Sequence, residues 1–306
     1  MKVIAENDIK DQIMDFWRNG AEPPLSLGMG SLNELYGLKY GTVTDITGYP
    51  YSGKTLFLKE ILINSYLKHQ VKHCLFLPDD GDVKEIIANL IHKLSGKTFD
   101  KKYNNNLKEN EVYRFLTQIV GDFVIVDDTN ESPTPEEFWR KSIEWGCDTA
   151  SIDSWNVMSH PSITTGYLAK TLSLRNKLAR NSNKHFFTVI HPKNPTSINY
   201  DKNGNLKEPS VFDLMGGSEW NNNAKNIIVV HKQEREGTEY EIHIKKTKPR
   251  IVGMTGMVKF DFDIPSQRFY EMLENKKYFY DNGFVETKTE IKPNQYFDVV
   301  GNEDPF

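Results

Sequence analysis

Eight consecutive residues, Gly48-Tyr49-Pro50-Tyr51-Ser52-Gly53-Lys54-Thr55, spell G-x-x-x-x-G-K-T. The two glycines admit backbone conformations that turn successive N–H groups toward phosphate oxygens. Lys54 then extends an ammonium to the β- and γ-phosphates, and Thr55 offers its hydroxyl to Mg²⁺. A β-rich run over 42–47 precedes the loop and a helical pattern over 55–68 follows it, the context in which this motif holds a nucleotide. The helix N-terminus adds further positive potential for the phosphates. The expected ligands are ATP and Mg²⁺.

A Mg²⁺-bound triphosphate also calls for a carboxylate at the end of a neighbouring strand. Asp127 and Asp128 close the apolar run 123–126, whereas Asp153 closes the run 149–152. Hydrophobicity favours the first pair. Order along the chain favours Asp153, because a helix-bearing unit separates it from the loop and the next strand ends in His191. For activating water, Asp79 and Asp80 both follow the strand 73–77, at the edge where open α/β sheets bind ligands. Both also suit a plain turn before Gly81.

Downstream, His191-Pro192-Lys193 ends a strand where an imidazole can sense a γ-phosphate. The polar stretch 194–209 exceeds an ordinary connection, and its Lys202 and Lys207 are placed to touch a phosphate backbone. Gly216-Gly217-Ser218-Glu219-Trp220 reads as a tight turn. Lys245, Lys246, Lys248 and Arg250 form the densest positive cluster. Gly253 and Gly256 follow it, so a turn is expected that carries Arg250 to a phosphate bound elsewhere, including one in an adjacent subunit.

Such residues need a scaffold. From Ser31 onward apolar strands alternate with helical patterns: helices over 83–94, from Thr134, and over 167–180, with strands over 149–152, 186–190 and 227–231. This alternation predicts an α/β fold with a mostly parallel twisted sheet flanked by helices. Shorter strands over 238–245, 257–263 and 268–272 predict a C-terminal β-hairpin extension. At the N-terminus, residues 8–18 place Ile9, Ile13, Met14, Phe16 and Trp17 on one helical face before a Gly/Pro-bearing linker over 19–30. That face either folds back on its own domain or docks on a neighbour.

With 38% hydrophobic and 26% charged residues among 306, the chain supports a substantial core. Net charge of −4 leaves room only for a local basic channel for nucleic acid. Two cysteines, Cys74 and Cys147, are too few for a disulfide framework or zinc module and favour a reducing cytosol. No run approaches the ~18 apolar residues of a membrane span.

Taken in order, these stretches resemble the RecA-like motor domain of DnaB-like hexameric replicative helicases, most closely the Twinkle and phage primase–helicase branch. The resemblance runs from about residue 8 to 270. It includes Gly37-Leu38-Lys39-Tyr40-Gly41, the GYPYSGKT loop, Phe76-Leu77-Pro78-Asp79, Ile152-Asp153-Ser154-Trp155-Asn156 and His191-Pro192-Lys193. Asp213-Leu214-Met215-Gly216-Gly217-Ser218, the run 228–232 and Lys248-x-Arg250-x-x-Gly253-x-x-Gly256 complete it. It implies a P-loop core at residues 31–275, a linker helix and linker at 1–30 that pack on the adjacent protomer, and a polar tail at 276–306. By the same resemblance Lys54 and Thr55 bind phosphate and Mg²⁺, Asp153 holds the Mg²⁺ shell, Asp79 acts on water, and His191 couples the γ-phosphate to DNA. Lys248 and Arg250 serve the neighbour's ATP, and Lys193, Lys202 and Lys207 face single-stranded DNA.

Three departures qualify the match. Asp79 stands where the family has glutamate, Lys232 where the branch commonly has arginine, and no primase domain precedes the motor. Priming is therefore expected from another protein or another part of the gene product. A stand-alone motor points to a bacteriophage or other mobile element, working in the host cytoplasm. The acidic, aromatic-tipped ending Glu303-Asp304-Pro305-Phe306 resembles tails that engage polymerase or primase. The expected activity is ATP-dependent unwinding of DNA by a ring, with a recombinase-type filament or a barely hydrolysing, nucleotide-gated accessory module as alternatives.

Overall fold

Alternation of side chains along the strands places apolar residues on both faces of the central sheet. In β2 (His73–Phe76), Cys74 and Phe76 enter one core while Leu75 and the following Leu77 enter the other. A computed structural model describes residues 4–127, 132–162, 164–234, 237–250, 253–273 and 276–279. The parallel strands are β1 (Val43–Thr47), β2, β3 (Phe123–Ile125), β4 (Thr149–Ile152), β5 (His185–Ile190) and β6 (Asn226–His231). The antiparallel strands are β7 (Glu239–Lys246), β8 (Gly256–Asp263), β9 (Arg268–Leu273) and β10 (Lys276–Tyr278). Among the described residues these ten make one sheet in the order β10-β9-β8-β7-β6-β1-β5-β4-β2-β3.

The helices are α1 (Glu6–Asn19), α2 (Leu32–Leu35), α3 (Lys54–His69), α4 (Val83–Ser95), α5 (Glu109–Asp122), α6 (Pro135–Glu144), α7 (Thr165–Ser182) and α8 (Ser218–Asn223). Helices α3, α4 and α5 pack around one core, with Phe57, Leu90 and Phe115 against Leu75 and Val189. Helices α6, α7 and α8 pack around the other, where Trp139 stacks on Phe186 with centroids 5.9 Å apart. The α/β sheet expected from sequence is present, with its hairpin extension. Arg175 of α7, fully buried, bonds both oxygens of Asp45 in β1 at 2.5 and 3.1 Å and Thr188 of β5 at 2.8 Å, locking that helix to the strands under the phosphate loop.

Four local features differ from the sequence reading. Helix α5 has no counterpart there, because only Phe115 and Ile119 are fully buried and its polar outer face dilutes the periodicity. The segment from Ser218 is helix α8 rather than a turn alone, anchored by the buried Trp220. The second half of the expected linker is packed: Leu27 and Met29 are fully buried and Leu25 bridges to Leu38. Lys276–Tyr278 pairs with β9, so the first residues of the expected tail belong to the sheet. The remaining tail, with Glu303, Asp304 and Phe306, lies outside the described residues, as does Asp128. Helix α1 buries none of its residues in this chain, and Trp17 is 75% exposed, so it does not fold back. Among the described residues, no helix is long and apolar enough to cross a membrane.

Candidate nucleotide site

Strand β1 delivers the loop 48–53 to the carboxyl edge of the sheet, between β5 and β6. Thr47 donates to the Ile190 carbonyl at 2.8 Å and fixes where the loop leaves the strand. Gly53 opens α3 with φ of +84°, and a Cβ there would lie 2.5 Å from the Tyr240 ring. A side chain is excluded twice over, by backbone conformation and by contact. Lys54 begins the helix at 7% exposure and donates to the Tyr49 carbonyl at 3.0 Å. The Ser52 hydroxyl is buried inside the loop with no hydrogen-bond partner in the protein. Pro50 and Tyr51 form the loop's exposed tip.

The choice between carboxylates is decided by the sheet. Asp153, at the end of β4, accepts from Thr55 Oγ1 at 2.5 Å and is 4% exposed. Asp127 lies beyond β3, the outer strand, where it is exposed and lines a separate groove with Pro78 and Lys84. Burial raises the Asp153 carboxyl to about 6; Thr55 and Lys54 oppose the rise, while Asp80 and Asp79 add to it. Burial likewise lowers the Lys54 ammonium, with Asp153 partly restoring it. Asp79 and Asp80 occupy one short turn, Pro78–Asp80, and diverge. Asp79 Oδ2 accepts from Ser154 Oγ at 3.0 Å, beside Asp153, whereas Asp80 is ion-paired with Lys59 of α3.

His191, half-buried at the end of β5, is held below its usual value of 6.5 by burial and then by Lys54, with Asp79 opposing. It is therefore a neutral hydrogen-bonding group near pH 7. Lys193 follows it, exposed, its backbone tied to Asp213 at 2.7 Å. The stretch after it is built rather than loose. Tyr200 bridges Leu206, the Asp201 carboxylate accepts from the Asn203 and Asn205 amides at 2.7 and 2.9 Å, and Glu208 pairs with Lys245 of β7 at 2.8 Å. Lys202 and Lys207 stand exposed on this projection.

Sequence reasoning missed Tyr240. Its strand, β7, runs antiparallel to β6, and only that pairing brings it to the loop. Lys232 Nζ lies 5.0 Å from the Tyr240 ring centroid, and the two residues wall an open groove of about 470 Å³ beside Tyr51, Gly53 and Lys54. An aromatic face next to a phosphate cradle suits the base of a nucleotide.

Lys248 and Arg250 are not part of this cluster. The register of β7 sets Glu241 opposite His231 near the loop and Lys246 opposite Ile227 at the far end of β6. The turn after Lys246 thus lies at the opposite edge of the sheet. There Gly253 rests on α2: a Cβ would lie 1.8 Å from the Leu35 carbonyl, which Met254 N–H meets at 3.1 Å. Both Lys248 and Arg250 are exposed.

The donor set fits a triphosphate and its cation. A buried ammonium, an unpartnered buried hydroxyl and a helix N-terminus converge on the loop, and the Thr55–Asp153 pair is an oxygen couple suited to Mg²⁺.

No family model matches the chain. The fold is that of RecA-like, DnaB-type ATPase domains. It superposes on a solved ATPase domain of a DnaB-like helicase with a TM-score of 0.70, covering 88% of this chain and 99% of that one at 16% identity. A DnaB-like replicative helicase, solved for its interactions with primase, gives 0.67 over 88% of this chain and 67% of that one, also at 16% identity. In sequence the chain is 23% identical over 283 residues to the "Twinkle homolog protein, chloroplastic/mitochondrial" of Arabidopsis thaliana. That match covers 85% of this chain and 38% of the relative, so the chain spans well under half of the curated protein it resembles. The resemblance to the DnaB and Twinkle group read from the motifs is thereby supported from both sequence and fold.

Proposed function

We propose that this chain is the ATP-driven motor of a ring-forming DNA helicase, assembled from several copies, six by resemblance, and moving on single-stranded DNA. One observation carries the reading: the phosphate loop and the Lys248–Arg250 turn occupy opposite edges of one sheet. A single chain cannot bring its own Arg250 to its own phosphates, whereas head-to-tail copies supply it from next door. The exposed apolar face of α1, with Ile13 and Trp17, is then covered by the adjacent copy.

Lys54 grips the β- and γ-phosphates, and Tyr240 with Lys232 receives the base. Thr55 and Asp153 would hold Mg²⁺, which neutralises phosphate charge when bound. Ser154 holds the Asp79 carboxylate beside Asp153, from where it orients and deprotonates the attacking water. Asp79 is one methylene shorter than glutamate, and the Ser154 bond limits how far it reaches. His191 touches the γ-phosphate through a ring nitrogen, and its strand continues into the Lys193–Lys207 projection, which contacts the DNA backbone. A net charge of −4 restricts that contact to local lysines, so binding weakens steeply with salt. A primase partner and engagement of polymerase by the C-terminal tail belong to the same reading.

The test is ATP turnover with and without single-stranded DNA in wild type, Lys54→Ala and Arg250→Ala. Stimulated turnover in wild type, lost in each variant and partly restored when the two variants are mixed, is expected. Absence of turnover favours the accessory module, and filaments instead of rings in electron micrographs favour the recombinase.

A further inference from the structure

Helix α3 carries a second buried ammonium. Lys59 is 1% exposed and ion-paired with Asp80, itself 19% exposed. Thr55 and Lys59 are four residues apart and share one helix face. From that face Thr55 reaches Asp153 beyond β4, and Lys59 reaches Asp80 beyond β2, the adjacent strand. One turn further round, Glu60 pairs with Lys93 of α4 at 2.6 Å, so α3 is held from a second side. Two neighbouring strand ends are thus referenced to the helix that begins at the phosphate loop. Asp79 shares its three-residue turn with Asp80 and faces the other way, onto Ser154.

We propose that Lys59 is a positioning residue for hydrolysis: by holding Asp80 it sets the Pro78–Asp80 turn so that Asp79 faces the attacking water. It also offsets one of three carboxylates, Asp79, Asp80 and Asp153, whose charges act on one another. This rests on the motor reading above, in which Asp79 acts on water.

The experiment compares DNA-stimulated ATPase and equilibrium binding of a fluorescent ATP analogue for wild type, Lys59→Met, Asp80→Asn and the double variant. Lys59→Met is expected to lower kcat about 10- to 100-fold, the scale of a catalytic group displaced by about 1 Å. KM and analogue affinity stay within about twofold of wild type, because Lys54 and Thr55 are untouched. Asp80→Asn produces a similar loss, and the double variant is no slower than the worse single one, as for two partners of one contact. Should Lys59→Met fail to fold, Asp80→Asn at the more exposed partner carries the test. Unchanged kcat in folded variants, kcat and KM deteriorating together, or losses that multiply in the double variant would each overturn the assignment. An inactive wild type would instead remove the motor reading on which it rests.

Discussion

Asp153→Asn separates what the nucleotide site does for the fold from what it does for chemistry. The wild-type carboxyl is buried, and its folded-state value of about 6 exceeds its ordinary 3.8. The folded protein therefore holds that proton more tightly than the unfolded chain. Its contribution to stability is fully present below about pH 4 and is lost as pH rises through about 6, where a buried carboxylate must ionise. The difference is worth at most about 3 kcal/mol at neutral pH. An asparagine keeps the shape and can still accept from Thr55, so the variant escapes this penalty. At pH 7.5 Asp153→Asn should melt about 5–10 °C above wild type and need more urea to unfold. The gain should shrink as pH falls from 7 to 4. Saturating Mg²⁺–ATP should raise the melting temperature of wild type more than that of the variant, because only the carboxylate completes the cation's oxygen pair. Unfolding by circular dichroism across this pH range is the assay. A variant no more stable than wild type at pH 7.5, or a gap that widens toward pH 4, refutes the reasoning.

Two other outcomes test the scaffold. Arg175→Met leaves Asp45 buried without its partner and should cost about 3–5 kcal/mol in urea unfolding, far more than any exposed lysine change. Deleting residues 1–20 should leave the melting temperature of the core within a few degrees, since α1 buries nothing in its own chain, while reducing ring assembly in sedimentation velocity.

The parts of this protein legible in its sequence are those whose chemistry demands contiguous residues or a regular period. The phosphate loop is one: eight neighbours suffice to bend the backbone and present Lys54 and Thr55. The strands β1, β2 and β4 to β6 are others, because burial on both faces leaves continuous apolar runs. Helix α5 escaped notice for the converse reason: only two of its residues are fully buried.

What the tertiary structure alone decided are relations between strand ends. Asp127 follows the more apolar strand, yet β3 is the sheet's outer strand, and Asp153 on β4 is the carboxylate that meets Thr55. Asp79 and Asp80 are adjacent and chemically identical, and only the positions of Ser154 and Lys59 make one face the site and the other face α3. Tyr240 reaches the loop through an antiparallel register, and Arg250 is carried away from it by the same strand. Local sequence specifies which backbone shape a segment can take. Which strand ends become neighbours depends on strand order and register, and those follow from burying two apolar faces at once, a condition no short segment contains.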